Sequence, residues 1–541
     1  MTLDRILINA NVRTLDPDMP RASAVAIRRG EIIAVGGDDL RELADPRTQI
    51  DDLGGATLLP GLTDAHIHWA WTSQSLRQIN LIDVPSKEAA LQKVAEAAAR
   101  AAPGTWLTGF GWAQAAWPDG AFPAAADLDS VAPNHPVYLK ARSGHAGWAN
   151  SRALQLAGVT AETADPPGGV IGRGGNGVPF GILLEDAMLL VAKHIPTPTA
   201  AELADLMAAA QQLAWQSGLT GLHDYDGPNA FEAFQLLHER GELGLRVVKN
   251  INDPYIDSAI QLGLRWGFGN HWLRLGGLKI FADGALGPRT AAMIAPYEGE
   301  PDNYGVIVTE KSTMYELVSR ASRAGFPSTI HAIGDQAVRD VLDVYAAVRA
   351  EERGRGLQPT DRRHRIEHVQ IIHPDDAGRL AALDVIASMQ PIHATADYLM
   401  SDRYWGKRSQ YAYNARLQID QGARVAFGSD SPVEPFDPLL GIYAAVTRRR
   451  PDGSPGPDGW YPDLRLTVDE AVRGYTIGPA YAGGMERRLG RIAPGFLADF
   501  TAFDRDIYAI PADDLLRTRV VGTMTGGLWR YTDGIRAVVG G

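Results

Sequence analysis

The sequence predicts an α/β protein: a (β/α)8 TIM-like barrel, with a small β-sandwich formed by both termini and a long insertion after the first barrel strand. Three observations predict it. Eight short apolar runs between residues 63 and 430 alternate with helix-like segments. Both ends of the chain carry short Ile/Val/Leu runs broken by glycine. Between residues 66 and 219 the first two runs are separated by far more chain than a crossover needs.

Taken in order, residues 1–59 contain RILINANVRTLD, ASAVAIRRGEIIAVG and QIDDLGGATLLP. Residues 487–541 repeat that texture in RLGRIAPGFLADFTAFD, RVVGTMTGGLWRY and IRAVVGG. Isolated short strands cannot bury a face alone, so both ends are expected to form one composite sandwich, leaving 60–486 as the barrel. Its strands are read at TDAH (63–66), LTGLHD (219–224), LRVVKN (245–250), LRLGGLKIF (273–281), PSTIH (327–331), HRIEHV (364–369), DVIASMQ (384–390) and ARVAFGSD (423–430). Helices are expected at AELADLMAAAQQLAWQSG, TMYELVSRASRAG, AVRDVLDVYAAVRAEERG and HPDDAGRLAALD, from helical apolar spacing with Gly near the ends. The inserted subdomain, about 70–215, holds a helical start, SKEAALQKVAEAAARA, and the aromatic GTWLTGFGWAQAAWPDGAFP. It continues with the Gly-rich PPGGVIGRGGNGVPFG and a second helix beginning near Leu183. GGVIGRGGNG is not a phosphate loop, because it lacks the Gly-Lys-Ser/Thr ending. Trp106, Trp112 and Trp117 read either as subdomain core or as a substrate entrance.

Composition narrows the function. The 541 residues are 45% hydrophobic and 21% charged, an ordinary globular balance. A net charge of −12 argues against a nucleic-acid partner, and Arg448-Arg449-Arg450 reads as a solvated helix end. With no cysteine, thiolate metal sites, disulfides and cysteine nucleophiles are excluded, so any metal must be held by nitrogen and oxygen. The N-terminus lacks a basic segment followed by a long apolar run, and no apolar run reaches membrane length. A cytoplasmic protein with no membrane partner is expected, and enzymes of this size are often symmetric homodimers.

The chemistry lies in the histidines. TDAHIHW places His66 and His68 two apart on a strand, so both imidazoles project to one side. Alone, the pair reads as a strand end or as half of a metal site. Lys279 (GLKIFADG), His331 (STIHAIGD), His368 (RIEHVQ) and Asp430 (AFGSDSP) also close barrel strands, where barrel active sites form. Unpaired buried polar groups are costly, so six on one rim imply a common partner. Nitrogen and oxygen donors suit one or two divalent ions, Zn²⁺ first, with Mn, Fe, Co or Ni also fitting.

LPGLTDAHIHW, GLKIFADGALGPRTAAM, HAIGDQAV, RIEHVQ and FGSDSPVEPFDPLLGIYAAV resemble the amidohydrolase superfamily, specifically its amidohydrolase-3 (YtcJ-like) branch. The resemblance rests on their order and strand placement and spans essentially the whole chain. It implies a metal-dependent hydrolase of small molecules, and branch members act on N-substituted formamides, amides or cyclic amides. It assigns His66 and His68 to one metal, His331 and His368 to a second, and a carboxylated Lys279 to the bridge. Asp430 becomes a metal ligand and the catalytic residue, accepting the proton of the attacking water and returning it to the leaving nitrogen. Physics agrees on Lys279: burial in an apolar strand lowers its pKa, leaving a neutral amine able to add carbon dioxide. The alternatives are an unmodified Lys279 paired with Asp283 or Glu367, and a mononuclear site. The same metal site could also serve deamination or lactone, ester or phosphotriester hydrolysis, and a non-catalytic scaffold is the remaining alternative.

A second tier completes the candidates. His223 is a substrate contact, a support for the metal ligands or a barrel cap. His145 is a substrate or lid residue, and Glu185 is a carboxylate bridge in place of Lys279 or a first-turn helix acid. Asp283 and Arg289 are candidates for substrate polar groups. His393, with Asp397, Tyr404, Trp405 and Arg408, offers an amphipathic pocket wall.

Overall fold

A computed structural model describes residues 3–538 apart from 115, 116, 119, 143 and 144. Eight parallel strands stand at the expected positions and pair in chain order. They are β1 (Leu62–Ile67), β2 (Leu219–Asp224), β3 (Arg246–Asn252), β4 (Leu273–Phe281), β5 (Ser328–Ala332), β6 (Arg365–His368), β7 (Ile386–Met389) and β8 (Val425–Phe427). Each is almost wholly buried, because a parallel sheet covered by helices has no solvent face. The seam closes just past β8: the Asp430 amide donates to His66 O at 2.7 Å and the His68 amide to Ser431 O at 3.0 Å. Gly428 makes this approach feasible, since a Cβ there would lie 2.4 Å from the His66 nitrogen.

The helix Ala200–Gln216 lays Leu203, Met207, Ala210 and Ala214 on the barrel core. Helix Lys311–Ala324 stops at Gly325, whose φ of 100° permits the left-handed cap, and Asp335–Gly354 follows β5. HPDDAGRLAALD does not form the expected continuous helix. It breaks into Pro374–Asp376 and Arg379–Ala382, with Gly378 between them and Asp376 bonded to Arg339 and Arg379. No helix among the described residues is long and apolar enough to cross a membrane.

Two further sheets mix the chain ends. One orders Arg536–Val538, Gln49–Asp52, Arg5–Ile8, Ala24–Arg28 and Glu31–Gly36. The other orders Leu528–Thr532, Val520–Thr525, Phe500–Phe503, Thr57–Pro60, Asn11–Arg13 and Arg21–Ala22. Leu7, Val25, Leu58, Phe500 and Met524 share a core between them.

Residues 74–199 form a second compact unit, narrower than the expected 70–215. The difference has a packing cause: Trp69, Ala70 and the helix Ala200–Gln216 are buried in the barrel core. The unit's own sheet orders Gly169–Arg173, Pro179–Glu185, Ala146–Ala149, Val137–Ala141, Leu107–Trp112 and Ile79–Asn80. Helix Lys87–Arg100 starts at Ser86, whose hydroxyl accepts the Ala89 amide. The helix expected near Leu183 is instead a strand, held by antiparallel partners on both sides, and a helix begins only at Met188. Trp112 and Trp117 pack with Trp148 at ring separations of 6.1 to 6.3 Å in this unit's core, which overturns the entrance reading for both. Trp106 is half-buried against a second cluster.

Candidate metal centre

Four imidazoles gather at the carboxyl ends of β1, β5 and β6. Ring centroids are 5.8 Å apart for His66–His68, 4.8 Å for His66–His368 and 4.6 Å for His331–His368. The Asp430 Oδ1 lies 3.6 Å from His66 Nε2 and 3.5 Å from His68 Nε2. Donor atoms of His66, His368 and Asp430 all fall within 4.8 Å of one another. His368 and Asp430 hold left-handed backbone at φ 78° and 60°, strain that a functional site retains.

Each imidazole has one nitrogen engaged by an oxygen acceptor. His66 Nδ1–H donates to Glu367 Oε2 at 2.6 Å, and His68 Nδ1–H to Asp226 Oδ1 at 3.1 Å. His368 Nδ1–H donates to Gln390 Oε1 at 2.9 Å, and His331 Nε2–H to the Gly284 carbonyl at 2.9 Å. These bonds fix the tautomers, leaving bare lone pairs at Nε2 of His66, His68 and His368 and at Nδ1 of His331. Burial, then the charge of Lys279, takes His331 down to about 3. Burial likewise holds His66 and His368 well below the ordinary range, so these rings are neutral. For His68 burial also opposes the charge, but Asp226 outweighs it and the pKa rises. Neutral imidazoles presenting lone pairs beside a carboxylate are a donor set that fits a divalent cation.

Lys279 is 1% exposed, and its Nζ lies 4.8 Å from the Tyr225 ring centroid and 4.5 Å from that of Phe281. Among the described residues it has no ion pair, with Asp283 or with Glu367. Glu367 is bound instead by Arg365, His66 and the Tyr225 hydroxyl. Burial pulls Lys279 down to about 8, partly opposed by Glu367 and Asp430. Burial raises Asp430 to about 6 against the charges of His68 and Lys279.

The second tier divides. His393, on the helix Pro391–Trp405, joins the cluster: its ring stacks 6.4 Å from His368 and its Nε2 is 4.0 Å from Asp430 Oδ2. That nitrogen is buried without a hydrogen-bond partner. His223 takes the barrel-interior place, its Nδ1 accepting from Arg365 at 2.9 Å. Asp283 is not a substrate group, because its carboxylate is enclosed by the amides of Ala292, Ile333 and Gly334 at 2.8 to 3.0 Å. Arg289 is tied to Glu300 at 2.8 Å and to the Tyr404 hydroxyl at 3.4 Å. His145 and Glu185 lie in the 74–199 unit and bond each other at 2.9 Å. Glu185 ends a strand, so it is no first-turn helix acid. Trp405 is buried core, Asp397 accepts from the Tyr413 hydroxyl at 2.8 Å, and Arg408 clamps the Ala295 and Pro296 carbonyls. Of the expected pocket wall, His393 is the residue that stands at the histidine cluster.

Sequence reasoning missed Asp226 and Gln390. Gln390 directly follows β7 and Asp226 lies two residues past β2, so the strand-end rule that picked out the candidate ligands covers them too. Tyr225, directly after β2 and stacked on His66 at 4.0 Å, was missed as well.

Comparison with known proteins gives the family. The amidohydrolase family profile matches residues 49–531. The putative amidohydrolase YtcJ of Bacillus subtilis (strain 168) is 32% identical over 95% of this chain and 97% of its own. The N-substituted formamide deformylase of Arthrobacter pascens is 30% identical over 98% of both chains. The crystal structure of an uncharacterized metal-dependent hydrolase from Pyrococcus furiosus superposes with a TM-score of 0.77 at 27% identity. That superposition covers 93% of this chain and 99% of the other.

Proposed function

The chain belongs to the amidohydrolase family of carbon–nitrogen hydrolases, and from that premise we propose a metal-dependent enzyme that hydrolyses a small amide, N-substituted formamide or cyclic amide. The observation that carries this reading is the fixed tautomers of the four histidines, each offering a bare nitrogen, with Asp430 beside His66, His68 and His368. His66, His68, His331, His368 and Asp430 would hold the metal, one or two ions with zinc the first choice. Lys279, neutral in part near pH 8, would add carbon dioxide, lose a proton and join them as a carbamate. When bound, the divalent ion supplies a lowered pKa for water and polarisation of the substrate carbonyl.

The chain's own groups do the rest. Asp430 takes the proton of the attacking water and delivers it to the leaving nitrogen. His393, with its unpartnered Nε2 4.0 Å from Asp430, hydrogen-bonds the substrate group undergoing attack. Glu367, Asp226 and Gln390 keep the imidazoles in the tautomers that bind metal.

The test is a panel of N-formyl amines, N-acyl amino acids, cyclic amides, lactones and purines. It is run on chelator-treated protein and on protein reloaded with zinc or manganese. Hydrolysis of a formamide or cyclic amide, lost on chelation and restored by metal, is expected. Asp430→Asn should keep metal but lose about 10³-fold in kcat. Turnover confined to lactones or purines would overturn the C–N assignment, and near-normal kcat in Asp430→Asn would remove Asp430 from proton transfer.

A further inference from the structure

In the basic run Arg448-Arg449-Arg450, Arg450 is exposed but Arg448 is not solvated as expected. Arg448 caps the helix Pro438–Thr447 in left-handed conformation, φ 56°, and is 4% exposed. Its guanidinium turns inward: Nε–H donates to the Trp460 carbonyl at 2.9 Å and Nη1–H to the Tyr413 carbonyl at 2.7 Å. The Trp460 ring lies beneath it at 4.9 Å. Nη2 has no hydrogen-bond partner, and among the described residues no carboxylate forms an ion pair with Arg448. Burial pulls the group down only to about 10, so it stays charged at neutral pH. A buried cation without a counter-charge is strongly disfavoured.

Gln390 repeats the pattern. Its Oε1 accepts from His368 Nδ1–H at 2.9 Å, while its Nε2 has no partner. Gln390, Arg448 and His368 line one cavity of about 20 Å³, with Met389, Pro391, Leu464 and Leu466 among its other walls. That space suits a single small particle. The Tyr413 hydroxyl at the wall is already engaged by Asp397 and Gln370. Two residues with unmatched donors, one of them charged, therefore line an otherwise mostly apolar cavity. A water molecule would accept from both donors but would leave the guanidinium charge without a counter-charge. A monatomic anion accepts from both and cancels the charge.

We propose that this cavity binds a monovalent halide, chloride under ordinary conditions, held by Arg448 Nη2 and Gln390 Nε2. The halide makes Gln390 a positioning residue: fixed at one end by the anion, its amide presents Oε1 to His368 and keeps that ring in the metal-binding tautomer. Halide binding does not depend on which bond the metal centre cleaves.

Crystals of the full chain soaked in bromide should show an anomalous peak within hydrogen-bond distance of both donors. Thermal unfolding at constant ionic strength, with gluconate exchanged for chloride, should show a saturable Tm rise of about 2 °C. Arg448→Met should lose that saturable rise. Ordered water without an anomalous peak at saturating bromide overturns the proposal, as does a non-saturating Tm change shared by wild type and Arg448→Met. If Arg448→Met does not fold, the bromide map of the wild type decides.

Discussion

A single carboxylate shows how residue-scale contacts set the chemistry. Asp226 accepts His68 Nδ1–H through one oxygen, and the amides of Ala70 and Trp71 through the other at 2.6 and 3.2 Å. It therefore orients the His68 ring and the backbone that follows it. Asp226→Asn keeps the shape but removes the charge that makes His68 more basic. Metal affinity should fall about 10- to 100-fold in chelator competition, with an unchanged circular dichroism spectrum; unaltered affinity would limit Asp226 to a structural role. The six ligand candidates were legible because each closes a strand run of recognisable composition. Asp283 was misread because its position, on the loop after β4, resembles that of a substrate contact. Only the folded chain shows the amides of Ala292, Ile333 and Gly334 around its carboxylate.

Between elements, two contacts make strong demands. Gly428 lies where β8 meets β1, and a methyl group there would collide with the His66 nitrogen and with Asp64 Oδ1 at 2.6 Å. Gly428→Ala should lower stability by about 1–3 kcal/mol and weaken metal binding, since the backbone that must move carries His66. Urea unfolding and metal titration check both. His364 joins β5 to the helix Asp335–Gly354. Its Nδ1 accepts the Ser328 amide at 3.0 Å and its Nε2–H donates to Glu352 at 3.0 Å, which requires the neutral ring. Burial depresses its pKa from 6.5 to about 4. The unfolded chain binds this proton as pH falls through 6.5, and the folded chain refuses it until about 4. The stability linked to His364 is therefore complete above pH 6.5 and lost towards pH 4, on the order of 3 kcal/mol. His364→Gln should flatten that part of the urea-midpoint profile relative to wild type; superimposable slopes would reject the assignment. Strand positions were legible because buried parallel strands are continuous apolar runs. The segment at Leu183 was not, because its strand form depends on pairing with residues distant in sequence.

Across the whole molecule, the barrel and the terminal sheets are tied by a buried bidentate pair. Arg246, opening β3, donates to both oxygens of Asp499 at 2.7 and 2.8 Å, and Asp499 leads into the strand Phe500–Phe503. Asp499→Ala leaves the guanidinium buried and uncompensated, so a loss of about 3–5 kcal/mol is expected by urea unfolding. Arg246→Met with Asp499→Leu should lose less, because no orphaned charge remains, and equal losses would contradict this account. By itself the sequence determined the eight-strand order, the β-rich ends, a donor inventory of oxygen and nitrogen without thiolate, and the six candidate side chains at the strand ends. Periodicity, composition and strand-end position are local properties that a linear pattern records. The tertiary structure alone decided which imidazole nitrogen is bare, that Asp283 is enclosed, that Arg448 is buried and that 74–199 is a separate unit. Those facts depend on hydrogen-bond partners and burial contributed from far along the chain, and no local pattern encodes them.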